Sequence, residues 1–331
     1  MGLGEEGKRF NVIHNLPIEQ VGVESKNPET SRTSWPLVTI AAMLWALDLA
    51  LRPQAQRAGL SSIQIVLFEH LALAILFLPA LIRHRQQWRT LPWKSWAGLG
   101  FIAVFGSAIA TLMITEAYRM GSPLLTALLQ KAQPIFAVVL AGVFLREQRK
   151  PFFWPLFVGA LLGTYLLAFG MTAIDSATKA IPVLLALGAA AIWGTCTVVG
   201  RVAIRDLEPS AVAGWRFLIA LPFLLFVNAQ SGVQPLGAHV TIESLRPVFL
   251  IVLFPDALGM LLYYTGLKRT PASLATLAEL AFPATALLIS LGDRTQALNI
   301  AQWIGLILLL VCLHLIQSSR SVLVPRSVET H

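Results

Sequence analysis

The chain alternates between long apolar stretches and short polar connections. A transmembrane helix needs roughly 20 apolar residues to cross about 30 Å of hydrocarbon. With this length as the criterion, the sequence predicts an all-α membrane protein with ten transmembrane helices, which we number as spans 1 to 10. Their ranges are 37–56, 63–82, 96–118, 122–145, 152–171, 180–203, 209–228, 247–267, 271–291 and 300–317.

The composition agrees with this pattern. Of the 331 residues, 56% are hydrophobic and 13% are charged, and the mean hydropathy is +0.70. A soluble domain needs more charged residues to cover its surface. The net charge of +8 does not indicate nucleic-acid binding, because the basic residues are scattered over short connections. We expect a multi-pass protein of the plasma membrane that contacts the lipid bilayer and is a monomer or a weak homodimer.

Lysine and arginine predict the orientation. If the N-terminus is cytoplasmic, most basic residues of the connections lie on the inner side, including those of 83–94 and 146–150. This distribution satisfies the positive-inside rule and places both termini in the cytoplasm. Residues 1–36 are polar and predicted to be a flexible cytoplasmic tail, and 318–331 form a second tail. The first tail has no apolar core of a secretory signal.

The two halves of the chain resemble each other. Residues 116–134 align with 265–283 without a gap, and Trp45 aligns with Trp193. Each half contains five spans, an odd number, so the second half must be inverted in the membrane relative to the first. Inverted repeats are typical of secondary transporters, whose substrate site lies near mid-membrane between the repeats. The sequence therefore predicts two five-helix repeats, at 37–171 and 180–317.

This pattern resembles the drug/metabolite transporter superfamily, EamA type. The resemblance depends on Trp45 and Trp193, on "WRF" (215–217), and on the stretches "SPLLTALLQKAQPIFAVVLAGVFLREQ" and "PASLATLAELAFPATALLISLGD". One departure is "GDRTQ" (292–296) at the end of the second unit, where the first unit has "FLREQ" (144–148). The resemblance implies ten helices, two five-helix units, cytoplasmic termini and export of amino acids, drugs or other small metabolites.

Several ionisable residues fall inside the predicted spans, where each needs a partner or a water-filled cavity. Asp48 and Arg52 are four residues apart on span 1 and can pair with each other. Lys131 and Glu279 lie at equivalent depths of spans 4 and 9, and Asp256 follows a proline in span 8. Two interpretations of Lys131 and Glu279 are open: a buried ion pair that locks the two halves, or charged groups facing a central cavity.

We favour the cavity, and the predicted substrate site combines its charged, amide and aromatic side chains. These are Trp45, Asp48, Gln130, Lys131, Trp193, Asp256, Tyr263 and Glu279. The candidates for proton coupling are Glu69, Asp256 and Glu279, because burial of a carboxyl group can bring its proton exchange into the physiological range. Tyr118 and Trp215 are interpreted as membrane-interface residues. Arg216, near the inner end of span 7, is expected to extend to the cytoplasmic interface.

Other chemistries lack their sequence signatures. There is no HExxH motif or cysteine cluster for a metal, no GxSxG motif and no phosphate-binding loop, and we expect neither a metal nor a cofactor. The predicted function is a secondary active transporter that exports small metabolites, above all amino acids or related zwitterions, by alternating access. The alternatives are a drug or polyamine exporter and, in another class, an intramembrane enzyme that uses Glu69 with His70, or Asp256.

Overall fold

The structure is a computed structural model. It describes residues 34–144, 148–149, 151–170, 177–203, 207–234, 237, 240–267, 278–279, 281–292, 297–318 and 323–324. Both predicted tails lie almost wholly outside these residues, as do residues 293–296 of the "GDRTQ" segment.

The first repeat consists of helices and short helical turns. Its α-helices are α1 (Trp35–Ala46), α2 (Asp48–Arg57), α3 (Ser62–Leu76), α4 (Leu78–Arg83), α5 (Arg85–Arg89), α6 (Trp93–Phe101), α7 (Ala110–Met120), α8 (Pro123–Leu129), α9 (Gln133–Phe144) and α10 (Phe153–Phe169). A π-helix (Ile102–Ile109) joins α6 to α7, and a 3-10 turn (Gln130–Ala132) joins α8 to α9.

The second repeat is built in the same way. Its α-helices are α11 (Ala177–Ala203), α12 (Pro209–Ser231), α13 (Ile242–Ile251), α14 (Gly259–Leu267), α15 (Ala281–Ser290) and α16 (Ile300–Ser318). A π-helix (Val252–Leu258) joins α13 to α14. A two-residue antiparallel pair, β1 (Gln148–Arg149) with β2 (Leu323–Val324), connects the segment after span 4 to the C-terminal tail.

The third span of each repeat changes to π-helix in its middle, as span 3 does at Ile102–Ile109 and span 8 at Val252–Leu258. The second of these contains Pro255, which has no N–H to donate and so disturbs the regular hydrogen-bond ladder. Single π-turns occur frequently at functional sites. Their presence at corresponding places in the two repeats therefore makes this depth of the bundle a candidate for the functional site.

Span 4 is interrupted at Lys131. Pro134 has no N–H to donate to the carbonyl of Gln130, and this carbonyl instead accepts from the backbone of Gln133. The ladder therefore tightens into the 3-10 turn Gln130–Ala132. Lys131 thus lies at a break between two helices rather than on the uniform helix that the sequence pattern suggests.

Small residues allow spans 5 and 10 to pack closely. A Cβ atom on Gly163 would lie 2.7 Å from the backbone nitrogen of Leu309 and 2.8 Å from the carbonyl oxygen of Gly305. The backbones of spans 5 and 10 are therefore too close for any side chain at this position.

Four helical stretches among the described residues are long and apolar enough to cross a membrane: Trp35–Arg57, Trp93–Met120, Ser210–Ser231 and Ile242–Tyr263. Shorter apolar helices cover Ser62–Leu76, Phe153–Phe169, Ala180–Cys196, Ala281–Ser290 and Ile300–Leu315. Together they coincide with every predicted span except the interrupted span 4. The helical, apolar character of the chain is confirmed, while the count of ten spans and their orientation stay predictions.

The orientation can be tested by labelling single cysteines in intact cells. Position 89 lies in a basic connection that is predicted to be cytoplasmic, so a cysteine there should resist an impermeant reagent. Position 179 lies in a connection that is predicted to be outside, so a cysteine there should react. The native Cys196 and Cys312 are replaced by alanine first, so that only the introduced thiol reports. Labelling at position 89 and protection at position 179 would contradict the orientation.

Candidate functional site

A buried arginine is the centre of a polar cluster between the helices. The side chain of Arg52 is 3% exposed, and its Nη1 donates to Glu69 Oε2 over 2.8 Å and to Thr115 Oγ1 over 3.1 Å. Its Nε lies 3.2 Å from Asp48 Oδ1. Arg52 therefore joins span 1 to spans 2 and 3. We call Asp48, Arg52, Glu69, Thr115 and Asp256 the Arg52 cluster.

Asp256 brings the second repeat to this cluster. The charged groups that act on it are Glu69, Asp48, Arg52 and Arg216. Its Oδ2 is fully buried and has no hydrogen-bond partner among the described residues. The cluster therefore contains three carboxyl groups and one guanidinium, and among the described residues Asp48 and Glu69 are the two carboxyl groups that touch it.

His70 and Arg216 lie beside the cluster. His70 Nδ1 is 2.8 Å from the carbonyl oxygen of Val66, so this nitrogen donates, and the ring stands edge-on to Phe217 at 5.3 Å. Arg216 Nε donates to Ser107 Oγ over 2.7 Å. The expectation that Arg216 extends to the cytoplasmic interface is wrong, because a hydroxyl group on span 3 binds its guanidinium inside the bundle.

A second polar group surrounds Lys131. Its Nζ lies 3.8 Å from the centre of the Phe282 ring, a distance suited to a cation–π contact. Glu279 is the charged residue that acts on Lys131, and Glu279 Oε1 accepts from Tyr263 Oη over 2.9 Å. Among the described residues, Lys131 forms no ion pair shorter than 4.0 Å. We call Trp45, Lys131, Tyr263, Glu279 and Phe282 the Lys131 site.

The two tryptophans that align between the repeats occupy corresponding places. Trp45, in span 1, packs on Tyr263 of span 8 with 4.9 Å between the ring centres. Trp193, in span 6, donates its indole N–H to the Gly106 carbonyl in span 3 over 2.8 Å. The first span of each repeat thus presents a tryptophan to the third span of the other repeat.

A cavity of about 780 Å³ adjoins this region. It lies between the ends of spans 1, 3, 4 and 9, and its walls include Leu49, Tyr118, Pro123 and Ile289. Tyr118 Oη accepts from Gln130 Nε2 over 3.0 Å, and Gln130 is the chain neighbour of Lys131. A hydrogen bond therefore links the wall of the cavity to the chain neighbour of Lys131.

The interpretation of Tyr118 as an interface residue is wrong. Its side chain is 3% exposed and forms both part of the cavity wall and a hydrogen bond with Gln130. The mistake came from its place near the predicted end of span 3, since depth along a helix does not determine which way a side chain faces. Trp215 packs between Trp88 and Trp96, with ring centres 5.6 and 5.0 Å away.

Sequence reasoning missed Phe282 and Thr115. Phe282 is three residues after Glu279, a spacing that places both side chains on one helix face, and this signal was available. Thr115 had no such signal. Its hydroxyl also donates to the carbonyl of Thr111 over 2.7 Å, which is the usual arrangement of threonine in any apolar helix.

Apolar helices that enclose charged residues and a cavity define an integral membrane protein with the features of a small-molecule transporter. The family model of the EamA-like transporter family matches residues 34–169 and 180–317. The chain belongs to the EamA-like transporter family. It is a membrane transport protein and not an enzyme.

Two transporters with similar sequences agree with this assignment. The riboflavin transporter ImpX of Fusobacterium nucleatum is 29% identical over 289 residues, covering 83% of this chain and 94% of that protein. The uncharacterized transporter YwfM of Bacillus subtilis is 28% identical over 247 residues, covering 73% and 79%. A solved crystal structure with a TM-score of 0.57 and 20% identity covers 87% of this chain and 98% of its own, and supports the fold.

Proposed function

We propose that this protein is a secondary active transporter that exports small zwitterions, above all amino acids with apolar or aromatic side chains, by alternating access. The observation that carries the proposal is the Lys131 site. An ammonium group and a carboxylate from different repeats influence each other there without forming a direct ion pair. A zwitterion has both complementary charges.

The site offers a place for each part of such a substrate. The carboxylate would bind Lys131, the ammonium group would bind Glu279, and an apolar side chain would lie against Trp45 and Tyr263. These four side chains are half-buried, so they pack against neighbouring residues but keep part of their surface exposed. Aromatic rings suit both apolar groups and cations. Of the other predicted substrate residues, Gln130 is the chain neighbour of Lys131, and Asp48 lies on span 1, as Trp45 does.

Alternating access would use the correspondence between the repeats. The cavity lies at the bundle end that the positive-inside rule assigns to the outside, as expected for an outward-facing state. In an inverted repeat, exchange of the equivalent contacts opens the opposite end. The broken span 4 and the two π-helical spans supply the irregular backbone at which such movements occur. Without an ATP motif, the energy must come from a gradient, for which Glu69, Asp256 and Glu279 are the proton-coupling candidates.

A planar heteroaromatic substrate is the second candidate, favoured by the relative named a riboflavin transporter. A flavin ring could stack between Trp45 and Phe282, and its carbonyl and amide groups could pair with Gln130 and Lys131. Such a ligand would leave Glu279 without an opposite charge. The two candidates therefore differ in whether Glu279 is needed.

Ligand-induced thermal stabilisation of the purified protein decides between them. We expect phenylalanine to raise the melting temperature, because binding at about 100 times Kd stabilises the folded state by about 2.7 kcal/mol. The variant Trp45→Leu should lose this shift. Trp35→Leu, on the same helix but 43% exposed, should keep it. Stabilisation by riboflavin alone would favour the second candidate, and stabilisation by spermidine alone would favour the polyamine alternative.

A further inference from the structure

The Arg52 cluster has an imbalance of charge. Three carboxyl groups, those of Asp48, Glu69 and Asp256, share the buried Arg52, and the only other cation acting on Asp256 among the described residues is Arg216. His70 adds no positive charge when Nδ1–H donates to Val66 and Nε2 is unprotonated. If every carboxyl group were ionised, the cluster and Arg216 together would carry one excess negative charge. An uncompensated charge away from water is costly.

The contacts show which carboxyl group can hold a proton with the least disruption. Glu69 accepts from Arg52 over 2.8 Å, and Asp48 lies 3.2 Å from the guanidinium. Asp256 has no ion pair within 4.0 Å and no hydrogen bond among the described residues, although its Oδ2 is fully buried. A proton on Asp256 removes the excess charge without breaking either contact of Arg52.

The partners of Arg52 are divided between the repeats. Asp48, Glu69 and Thr115, which it contacts, all belong to the first repeat, while Asp256 belongs to the second. We propose that Asp256 is a proton-binding site and that Arg52 is the tethered cation that replaces its proton. This site is separate from the Lys131 site, and only its role in coupling transport to a proton gradient rests on the proposed function.

The proposed step is an acid–base exchange. The O–H bond of Asp256 breaks, the carboxylate keeps the electron pair and the proton passes to water. The proposed proton path to water runs past Asp48, whose side chain is 23% exposed. The new carboxylate then attracts Arg52 away from Glu69, so that the link within the first repeat becomes a link between the repeats. Trp45 lies three residues before Asp48 on span 1, which connects this change to the Lys131 site.

Infrared titration of the purified protein in lipid vesicles tests the proton directly and needs no substrate. A protonated carboxyl group has its own carbonyl-stretching band. The wild-type protein should keep part of this band after the exposed carboxyl groups have lost their protons, and should lose that part at higher pH. Asp256→Asn should lack that titrating part. Glu243→Gln, at an exposed carboxyl group in the first turn of the same span, should titrate like the wild type.

A second variant tests the role of Arg52. In Glu69→Gln, Arg52 loses its strongest acceptor and becomes available to Asp256. The band should then disappear in more acidic buffer than in the wild type. An unchanged titrating band in Asp256→Asn would overturn the proton site, and so would its absence from the wild type. An unchanged midpoint in Glu69→Gln would overturn the exchange with Arg52.

Transport separates this inference from the proposed function. With radiolabelled phenylalanine, Asp256→Asn should lose uptake driven by a pH gradient, whereas Glu243→Gln, at an exposed position of the same span, should keep it. If the wild-type protein exchanges no phenylalanine while the infrared titration behaves as expected, the proposed substrate fails and the proton site stands. If Asp256→Asn still responds to the gradient, coupling through Asp256 fails although the substrate stands.

Discussion

Replacing Arg52 by methionine is expected to destabilise the protein by about 3 to 5 kcal/mol, the usual cost of removing one partner from a buried ion pair. The change leaves Glu69, 4% exposed, and Asp48 without their shared cation. It also removes the link from span 1 to Thr115. The measurement is thermal unfolding in detergent, and the loss should be smaller in acidic buffer, because protons can then neutralise the two carboxyl groups.

Arg57→Met is the matched control for this prediction. Arg57 is on the same helix as Arg52, but it is exposed and its Nε bonds only the backbone carbonyl of Pro53 among the described residues. We expect its effect to stay within about 0.5 kcal/mol. The double variant Arg52→Met, Glu69→Gln should recover part of the lost stability. Equal stability of Arg52→Met and the wild type at neutral pH would show that the cluster does not hold the three spans together.

The helices could be predicted from the sequence because apolar stretches of membrane length leave few alternatives. In a bilayer core every backbone polar group must find a partner within the protein, and helices provide these partners locally. The interruptions within the helices were harder to predict from the sequence. A proline such as Pro134 or Pro255 disturbs the hydrogen-bond ladder of a helix, but whether the backbone responds with a 3-10 turn or a π-helix depends on the packing of neighbouring spans.

The candidate site could be predicted from the sequence only in part, because it also depends on how the spans pack. A charge inside an apolar span is visible in the sequence, and Asp48, Lys131, Asp256 and Glu279 were found in this way. The partners of a charge depend on the direction of each side chain in the folded bundle. The sequence therefore indicated that Asp48 can pair with Arg52 four residues later, but not that Arg52 also reaches Glu69 of another span.

Lys131 offers the sharpest test of the proposed function. Lys131→Met should weaken phenylalanine binding roughly 10- to 100-fold, because a charge-assisted hydrogen bond contributes about 1.5–3 kcal/mol. The folded protein should be as stable as the wild type or more stable, since methionine keeps the length of the side chain and removes a partly desolvated charge. Binding is measured by thermal stabilisation with phenylalanine, and stability by unfolding without ligand. Lys94→Met, at an exposed position near the start of span 3, should change neither.

The alternative, a locking ion pair between Lys131 and Glu279, predicts a stability change of opposite sign. If these two groups paired directly, Lys131→Met would strand a buried carboxylate and destabilise the protein by several kcal/mol. Glu279 instead keeps the hydrogen bond from Tyr263, which does not depend on Lys131. The double variant Lys131→Met, Glu279→Gln distinguishes the two interpretations. If the single variant were markedly destabilised and the double variant regained both stability and transport, Lys131 would be a structural partner of Glu279 and not a substrate-binding residue.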